Sequence, residues 1–435
     1  MPLKVLIIGA GIGGPALAYT LRRLNPDHNI TVIDRYPELR TTGQQVDLRG
    51  QGISTMRNLG LLDKVKEIGV EEEGIAIVDT HGKTKATFRK SETGTGKQSF
   101  TSEYEFMRGD LVKLLHDASL KDYGGKTSKD GGVHYEFNKS VTALTQDAAG
   151  VDITFSDGTT GRYDLVVGAD GQWSKTRKLL LGAPASAAAF HSLNLICAYY
   201  TMPRAPGDDA LMKMYVAPGG RGLTTRMGCT PTTTQAYLGM RADPEALAVR
   251  CGAPFVRLPP EKQKEILAEE LRDAGWQTDR FVRGMRDAAD FYAHEIGQVR
   301  IDGAFAKGRV ALLGDAGYCP SAMTGMGTTL ALLGAYVLAG EIAKRGDGDV
   351  EGAVRGYEST LRPYVDEIQK ISPGVTNLFF PTTRVGIFAM HTVLGLIETF
   401  RIDKLIMWLT PEDKGGLAIP EYPEIRFEEK DGEKR

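Results

Sequence analysis

Residues 4–34 read KVLIIGAGIGGPALAYTLRRLNPDHNITVID, and this stretch decides the fold. Residues 5–8 are an apolar run of strand character, residues 15–24 carry apolar side chains at helical spacing, and a second apolar run ends at Asp34. Gly9, Gly11 and Gly14 stand between strand and helix. Strand, turn, helix, strand and acid in that order make a dinucleotide-binding βαβ unit. Gly9 permits the tight turn, Gly11 lets the backbone approach a pyrophosphate, and Gly14 lets helix and strand pack closely. The N–H groups at the helix start face the phosphates, and Pro15 is tolerated there because a first-turn N–H has no helical partner. Asp34 follows Gly14 by 20 residues, where a carboxylate accepts from a ribose hydroxyl. The motif alone leaves NAD, NADP and FAD open.

At 435 residues the chain is expected to form two or three domains of about 150 residues each. An apolar content of 42%, 25% charged residues and a net charge of −2 describe a soluble globular protein with no long-range pull toward nucleic acid or acidic membranes. Cys197, Cys229, Cys251 and Cys319 are scattered, without CxxC, and no histidine pair has metal-ligand spacing. They read as free thiols in a reducing compartment, so a cytoplasmic enzyme without a metal site is expected. The N-terminal apolar run is punctuated by glycines and reads as strand and helix, not as a signal peptide. The apolar stretch VGIFAMHTVLGLI at 385–397 is 13 residues long. A span needs about 20, so a helix packed on the body of the protein is expected, with no membrane partner.

Along the chain, residues 52–67 have the spacing of one helix, and 74–106 shift to short strand-like runs around the polar piece SETGTGKQS. RGDLVKLLHDASL, opening at Arg108, is a helix, and 124–132 is a loop. The segment TTGRYDLVVGADG repeats the strand-and-turn logic of the N-terminus and delivers Asp170 and Gly171. Residues 185–294 favour strands (LNLICAYYTM, LMKMYVAPGG, TQAYLGM), with one helix ending at Trp276. GRVALLGDAGY then returns to the α/β pattern and leads into the long helix TTLALLGAYVLAGEIAKR. The expected fold is α/β: a Rossmann-like domain (1–75, 106–184 and 296–345), an inserted β-sheet substrate domain (76–105 and 185–295), and C-terminal helices with a charged, partly disordered tail (346–435).

GAGIGG with Asp34, DLVVGADGQWSKTR at 164–177 and RVALLGDAG at 309–317 together resemble the single-component (class A) flavin monooxygenases of the aromatic-hydroxylase type, most of all their tetracycline-inactivating branch. The pattern spans residues 1–345 in family order and spacing. The resemblance implies a Rossmann-like FAD-binding domain, with FAD bound and NADPH or NADH as a transient co-substrate. It implies that Asp34 binds the adenosine ribose, that Arg35 lies beside the adenine, and that Arg108 contacts the pyrophosphate or ribityl region. Asp315 is implied at the ribityl chain, and Asp170 and Gly171 at both FAD and NAD(P)H. GQQVDL is similar to the matching connection of the tetracycline-inactivating branch, which places Asp47 near the flavin and Arg40 near the nicotinamide nucleotide. The chain departs from the family after the GD motif: CPSAMTGMGTT has Ala322 for a proline and Thr329 for an asparagine. Gly325 and Gly327 remain, and glycines at a helix start let backbone N–H groups approach the flavin.

The implied chemistry is reduction of FAD by NAD(P)H, addition of O2, and transfer of one oxygen from a flavin hydroperoxide, hydroxylating or epoxidising an aromatic or polycyclic small molecule. The cofactor carries that chemistry, so no catalytic side chain is required. Tyr199, Tyr200, His191, Arg226 and Met214 are the pocket candidates in the substrate domain. The alternatives are an FAD-dependent reductase or dehydrogenase of a polycyclic or prenyl substrate and a non-catalytic FAD protein. A flavin halogenase is disfavoured because Trp173, Trp276 and Trp408 form no WxWxIP. The protein is expected to be a monomer or homodimer.

Overall fold

Period-two alternation in the strand Lys4–Ile8 sets the layers of the first domain. Val5 and Ile7 point to the helices Gly13–Leu24 and Gly327–Arg345, while Leu6 and Ile8 point to a small sheet that contributes Val141, Val151, Ile153 and Phe155. Both faces are covered, so every residue from Val5 to Ile8 is buried, as a central parallel strand requires. The computed structural model describes residues 1–89, 104–121, 131–228, 230–371, 374–401 and 417–427.

The central sheet has six strands in the order Ala306–Lys307, Val310–Leu312, Leu165–Gly168, Lys4–Ile8, Asn29–Ile33 and Gly132–Glu136. All its pairs are parallel except the short edge pair of Ala306–Lys307 with Val310–Leu312. The glycine turn, Asp34, Asp170 and Asp315 therefore all follow the carboxyl ends of neighbouring parallel strands, where ligands of open α/β sheets bind.

A second sheet of seven strands runs in the order Tyr292–Val299, Phe190–Pro203, Thr233–Arg241, Arg221–Met227, Leu211–Ala217, Gly74–Val78 and Thr84–Arg89. One face, with Ile196, Ala198, Tyr200, Leu238 and Met240, packs on Pro260–Leu271 and Thr278–Asp287 through Leu267, Leu271, Phe281 and Met285. The opposite face looks toward the first domain. A short ladder of Gln45–Asp47 with Glu105–Met107 bridges the two bodies.

Several local expectations change. Residues 52–67 form two helices, Gln51–Asn58 and Leu62–Glu67, because Gly60 at φ 66° reverses the chain between them. Of the C-terminal helices, Val350–Ile368 adds Ala353, Val354, Tyr357 and Leu361 to the core of the first domain, whereas Arg384–Thr399 lies against Thr84–Arg89 of the second sheet. The tail is expected to be only partly disordered, and its described part is packed: Tyr422 and Ile425 are buried on Gly327–Arg345. The polar piece at 91–99, most of the loop at 124–132 and the tail beyond 427 lie outside the described residues.

Candidate active site

The glycine turn is built so that only glycine fits. Gly9 has φ 117°, and a Cβ there would lie 2.3 Å from the Ala169 carbonyl oxygen; a Cβ on Gly14 would lie 2.0 Å from the Gly9 oxygen. Asp34 braces the turn, accepting from the Ala10 N–H at 2.8 Å and from the Tyr36 N–H at 3.0 Å. The helix Gly13–Leu24 has no side-chain cap and no acid in its first turn. Gly327–Arg345 begins in the same way. Two helix starts thus present unpaired N–H groups and positive dipole ends, and both border one cavity of about 400 Å³.

That cavity is lined at one end by Gly11, Gly13 and Arg108, further along by Gly314, Asp315, Gly325 and Gly327, and at the far wall by Tyr199, Arg226, Tyr237 and His294. A narrower arm of about 110 Å³ continues past Gly9, Asp34, Arg35, Arg40 and Asp170. Arg108 spans the junction, its guanidinium 3.4 Å from where a Gly11 Cβ would be. Burial and the neighbouring Arg40 lower the Arg108 guanidinium, while Tyr292, Asp315 and Asp34 oppose that shift. Asp315 opens onto the cavity, yet its depth in the protein raises its carboxyl above the usual range despite Cys319 and Arg108. Cys319, buried and beside Asp315, is held as the thiol.

An extended dinucleotide fits these residues. No atom lies within 4 Å of a Cβ built on Gly171 or Gly327, so the backbone at both stands open to the cavity. Arg108 is placed to meet anionic oxygens beside the glycine turn. Asp47 lines the same cavity and is bound by the Arg49 Nε at 2.9 Å. Asp170 has a second duty: it accepts from Ser174 Oγ at 2.5 Å and from the Thr176 N–H at 3.0 Å, so it fixes the start of the helix Lys175–Leu181. Ser321, at φ 80°, holds a conformation that non-glycine residues rarely adopt, in the turn that leads to Gly325.

The substrate-side candidates separate by strand geometry. Tyr199 and Tyr237 are cross-strand partners with rings 4.9 Å apart, facing the cavity. Arg226 also lines it but is committed: its Nη2 donates to Glu72 Oε1 and Glu105 Oε2, both at 2.8 Å, and its Nε to Glu72 Oε2 at 3.0 Å. Burial opposes that charge, but Tyr237, Glu72 and Glu105 outweigh it and hold Arg226 firmly protonated. Met214 is not among the residues that line this cavity. It pairs with Thr224, which pairs with Tyr237, so Met214 lies two strands beyond the aromatic wall, about 10 Å away. Tyr200 points the opposite way and donates to the Phe281 carbonyl at 2.8 Å, and His191 is exposed away from the cavity.

Tyr237, His294, Gln45 and Gln172 line the cavity without being singled out by the sequence. The signal for His294 was the alternation of Tyr292, His294 and Ile296 in YAHEIGQV, a strand with one face toward the cavity.

Residues 2–370 match the family model described as an FAD binding domain. The chain is 40% identical to the FAD-dependent monooxygenase asL6 of Sarocladium schorii, covering 98% of this chain and 100% of that protein. It is 36% identical to the flavin-dependent monooxygenase eupH of a Phoma species, covering 97% and 98%. The crystal structure of tetracycline destructase Tet(51) superposes with a TM-score of 0.75 at 27% identity, over 97% of this chain and 100% of that one. With the glycine turn, the two helix starts and Asp315 on a single cavity, the chain belongs to the flavin-dependent monooxygenases of the FAD-binding-domain family.

Proposed function

We propose that FAD lies along the cavity with its adenosine end at Gly9, Asp34 and Arg35, its pyrophosphate at Gly11, Gly14 and Arg108, and its flavin end at Asp47, Asp315, Gly325 and Gly327. Asp170 serves the same site by holding the Lys175–Leu181 helix start against the turn, and Arg40 stands where a transient NADPH or NADH would approach. The observation that carries this reading is the continuity of the cavity from the glycine turn to the Tyr199–Tyr237 wall. Bound FAD supplies the electron transfer and the activation of O2.

The chain's own residues bind, orient and exclude water. The N–H groups of two uncapped helix starts and the Arg108 guanidinium balance negative charge, and the edge-to-face pair Tyr199 and Tyr237 presents an apolar aromatic wall that suits an aromatic or polycyclic substrate and displaces water from it. The free thiols Cys197, Cys251 and Cys319 support a reducing, cytoplasmic setting. Among the described residues no helix is long and apolar enough to cross a membrane.

Replacing Arg108 by alanine tests the cofactor placement. The purified variant is expected to retain less FAD than the parent, read from visible absorbance per protein; full occupancy with normal NADPH oxidation would overturn the assignment. Oxygen uptake that is stoichiometric with NADPH and stimulated by an aromatic compound tests the reaction.

A further inference from the structure

Tyr292, Tyr199 and Tyr237 stand in one cross-strand row of the second sheet, and His294 stands in the next row opposite Cys197. The His294 ring is stacked against Tyr199, with centroids 5.6 Å apart and planes at 22°, and against Tyr292 at 5.1 Å and 28°. Its Nδ1 is buried and has no hydrogen-bond partner among the described residues. A buried nitrogen left so costs about 1–3 kcal/mol; Gln45 Oε1, on a residue that lines the same cavity, is likewise buried without a partner among the described residues. The ring lines the same cavity as Asp315, Gly325 and Gly327.

We propose that His294 is the positioning residue for the substrate: the edge of its ring that lines the cavity accepts a hydrogen bond from the hydroxyl of an uncharged, planar aromatic molecule lying against the Tyr199–Tyr237 wall. Two observations define the ligand. The wall is built of aromatic rings with little polarity, which suits a flat aromatic body. Arg226 on this wall is neutralised by Glu72 and Glu105, so it does not favour a phenolate or carboxylate over a neutral hydroxyl. Burial holds the imidazole near a pKa of about 4. An ordinary phenol titrates near 10, so proton transfer to His294 is uphill by about six pKa units. The ring therefore orients the hydroxyl and does not act as its base.

The inference rests on the cavity being the monooxygenase site, and its test does not depend on turnover. Binding of 2-naphthol, 2-methoxynaphthalene and naphthalene to the FAD-loaded protein is measured by equilibrium dialysis, with flavin absorbance as the check on folding. Wild type should bind 2-naphthol about tenfold or more tightly than 2-methoxynaphthalene, which has the shape but no donor. H294F should lose that preference and keep its affinity for naphthalene within about twofold, while H294N should recover part of it. The bound naphthol should absorb as the neutral form at pH 7. Equal binding of the three probes to wild type, preference retained in H294F, or a naphtholate spectrum in the site would each overturn the proposal. If H294F fails to hold FAD, the wild-type comparison of naphthol with its methyl ether still decides. Absence of aromatic-stimulated oxygen uptake with the naphthol preference intact would count against the monooxygenase reading of the site and leave the role of His294 standing.

Discussion

The ring of Phe380 occupies the space that a side chain at Gly239 would need: a Cβ there would lie 2.5 Å from the phenyl Cε1. Gly222, the cross-strand partner of Gly239, is covered by the same ring at 2.8 Å. Two facing glycines thus form a notch in the cavity-side face of the second sheet, and the segment before the helix Arg384–Thr399 is pinned into it. The Gly219 N–H to Thr382 carbonyl bond at 2.8 Å and the Arg241 to Asn377 bond at 2.5 Å hold the same segment. G239A should therefore destabilise by about 1–3 kcal/mol through overpacking. In an F380A background the same change should cost about 0.5 kcal/mol or less, because the two positions share one volume. Denaturant unfolding of the four proteins of that cycle checks it; additive effects would show that the ring is free to move aside.

Arg226 links the second sheet to the segment 70–73 and to the bridging strand Glu105–Met107, with Glu72 and Glu105 both buried. Removing one member of a buried, hydrogen-bonded set leaves uncompensated charge and typically costs about 3–5 kcal/mol. R226M should lose about that much, since it strands two carboxylates, and the R226M/E72Q/E105Q triple variant should regain a large part of it. The measurement is urea unfolding at pH 7, and a triple variant no more stable than R226M would refute the account. Arg226 is thus a structural cation beside the cavity, which its strand-like sequence context could not reveal.

That contrast marks what the sequence makes legible. The glycine turn, Asp34, Asp170 and Asp315 are readable because each follows a short apolar strand and obeys a local rule of backbone approach. The second sheet is harder to read. Tyr199, Tyr200 and Met214 look alike in a strand-rich stretch, and only register separates the residue that faces the cavity from one that faces the helices and one that lies two strands away. Glu72 and Glu105 sit 154 and 121 residues from Arg226, so nothing local announces their pairing. The packing of the tail is hidden for the same reason, since its partners lie in Gly327–Arg345 and not beside it.

Tyr422 shows how that tail is held. Its hydroxyl donates to Glu341 Oε1 at 2.7 Å, and its ring covers Gly340, where a Cβ would lie 2.3 Å from the ring Cδ2. Y422F removes the donor to a buried carboxylate and should cost about 1–3 kcal/mol. G340A should instead lift the tail away, so residues 417–427 become sensitive to limited proteolysis while Y422F keeps them protected. If neither variant changes the cleavage pattern, the tail is not anchored by this residue.

His294 carries a pH signature that can be read without substrate. Burial lowers its imidazole to about 4 in the folded protein, against about 6.5 in an unfolded chain. The unfolded state therefore binds the proton first. The neutral ring contributes no pH-dependent penalty above 6.5, and stability falls as the pH drops from 6.5 toward 4. At pH 5 the loss from this ring amounts to about 2 kcal/mol. His28, whose burial also lowers its pKa, acts in the same direction, while the raised carboxyls of Asp315 and Glu358 act in the opposite one. Comparison with H294F cancels those shared contributions. The difference in unfolding free energy between wild type and H294F should shift by about 2 kcal/mol toward the variant between pH 7 and pH 5. Parallel pH profiles for the two proteins would mean that the ring is hydrated and titrates normally, and that the site around Tyr199 and Tyr292 is wet.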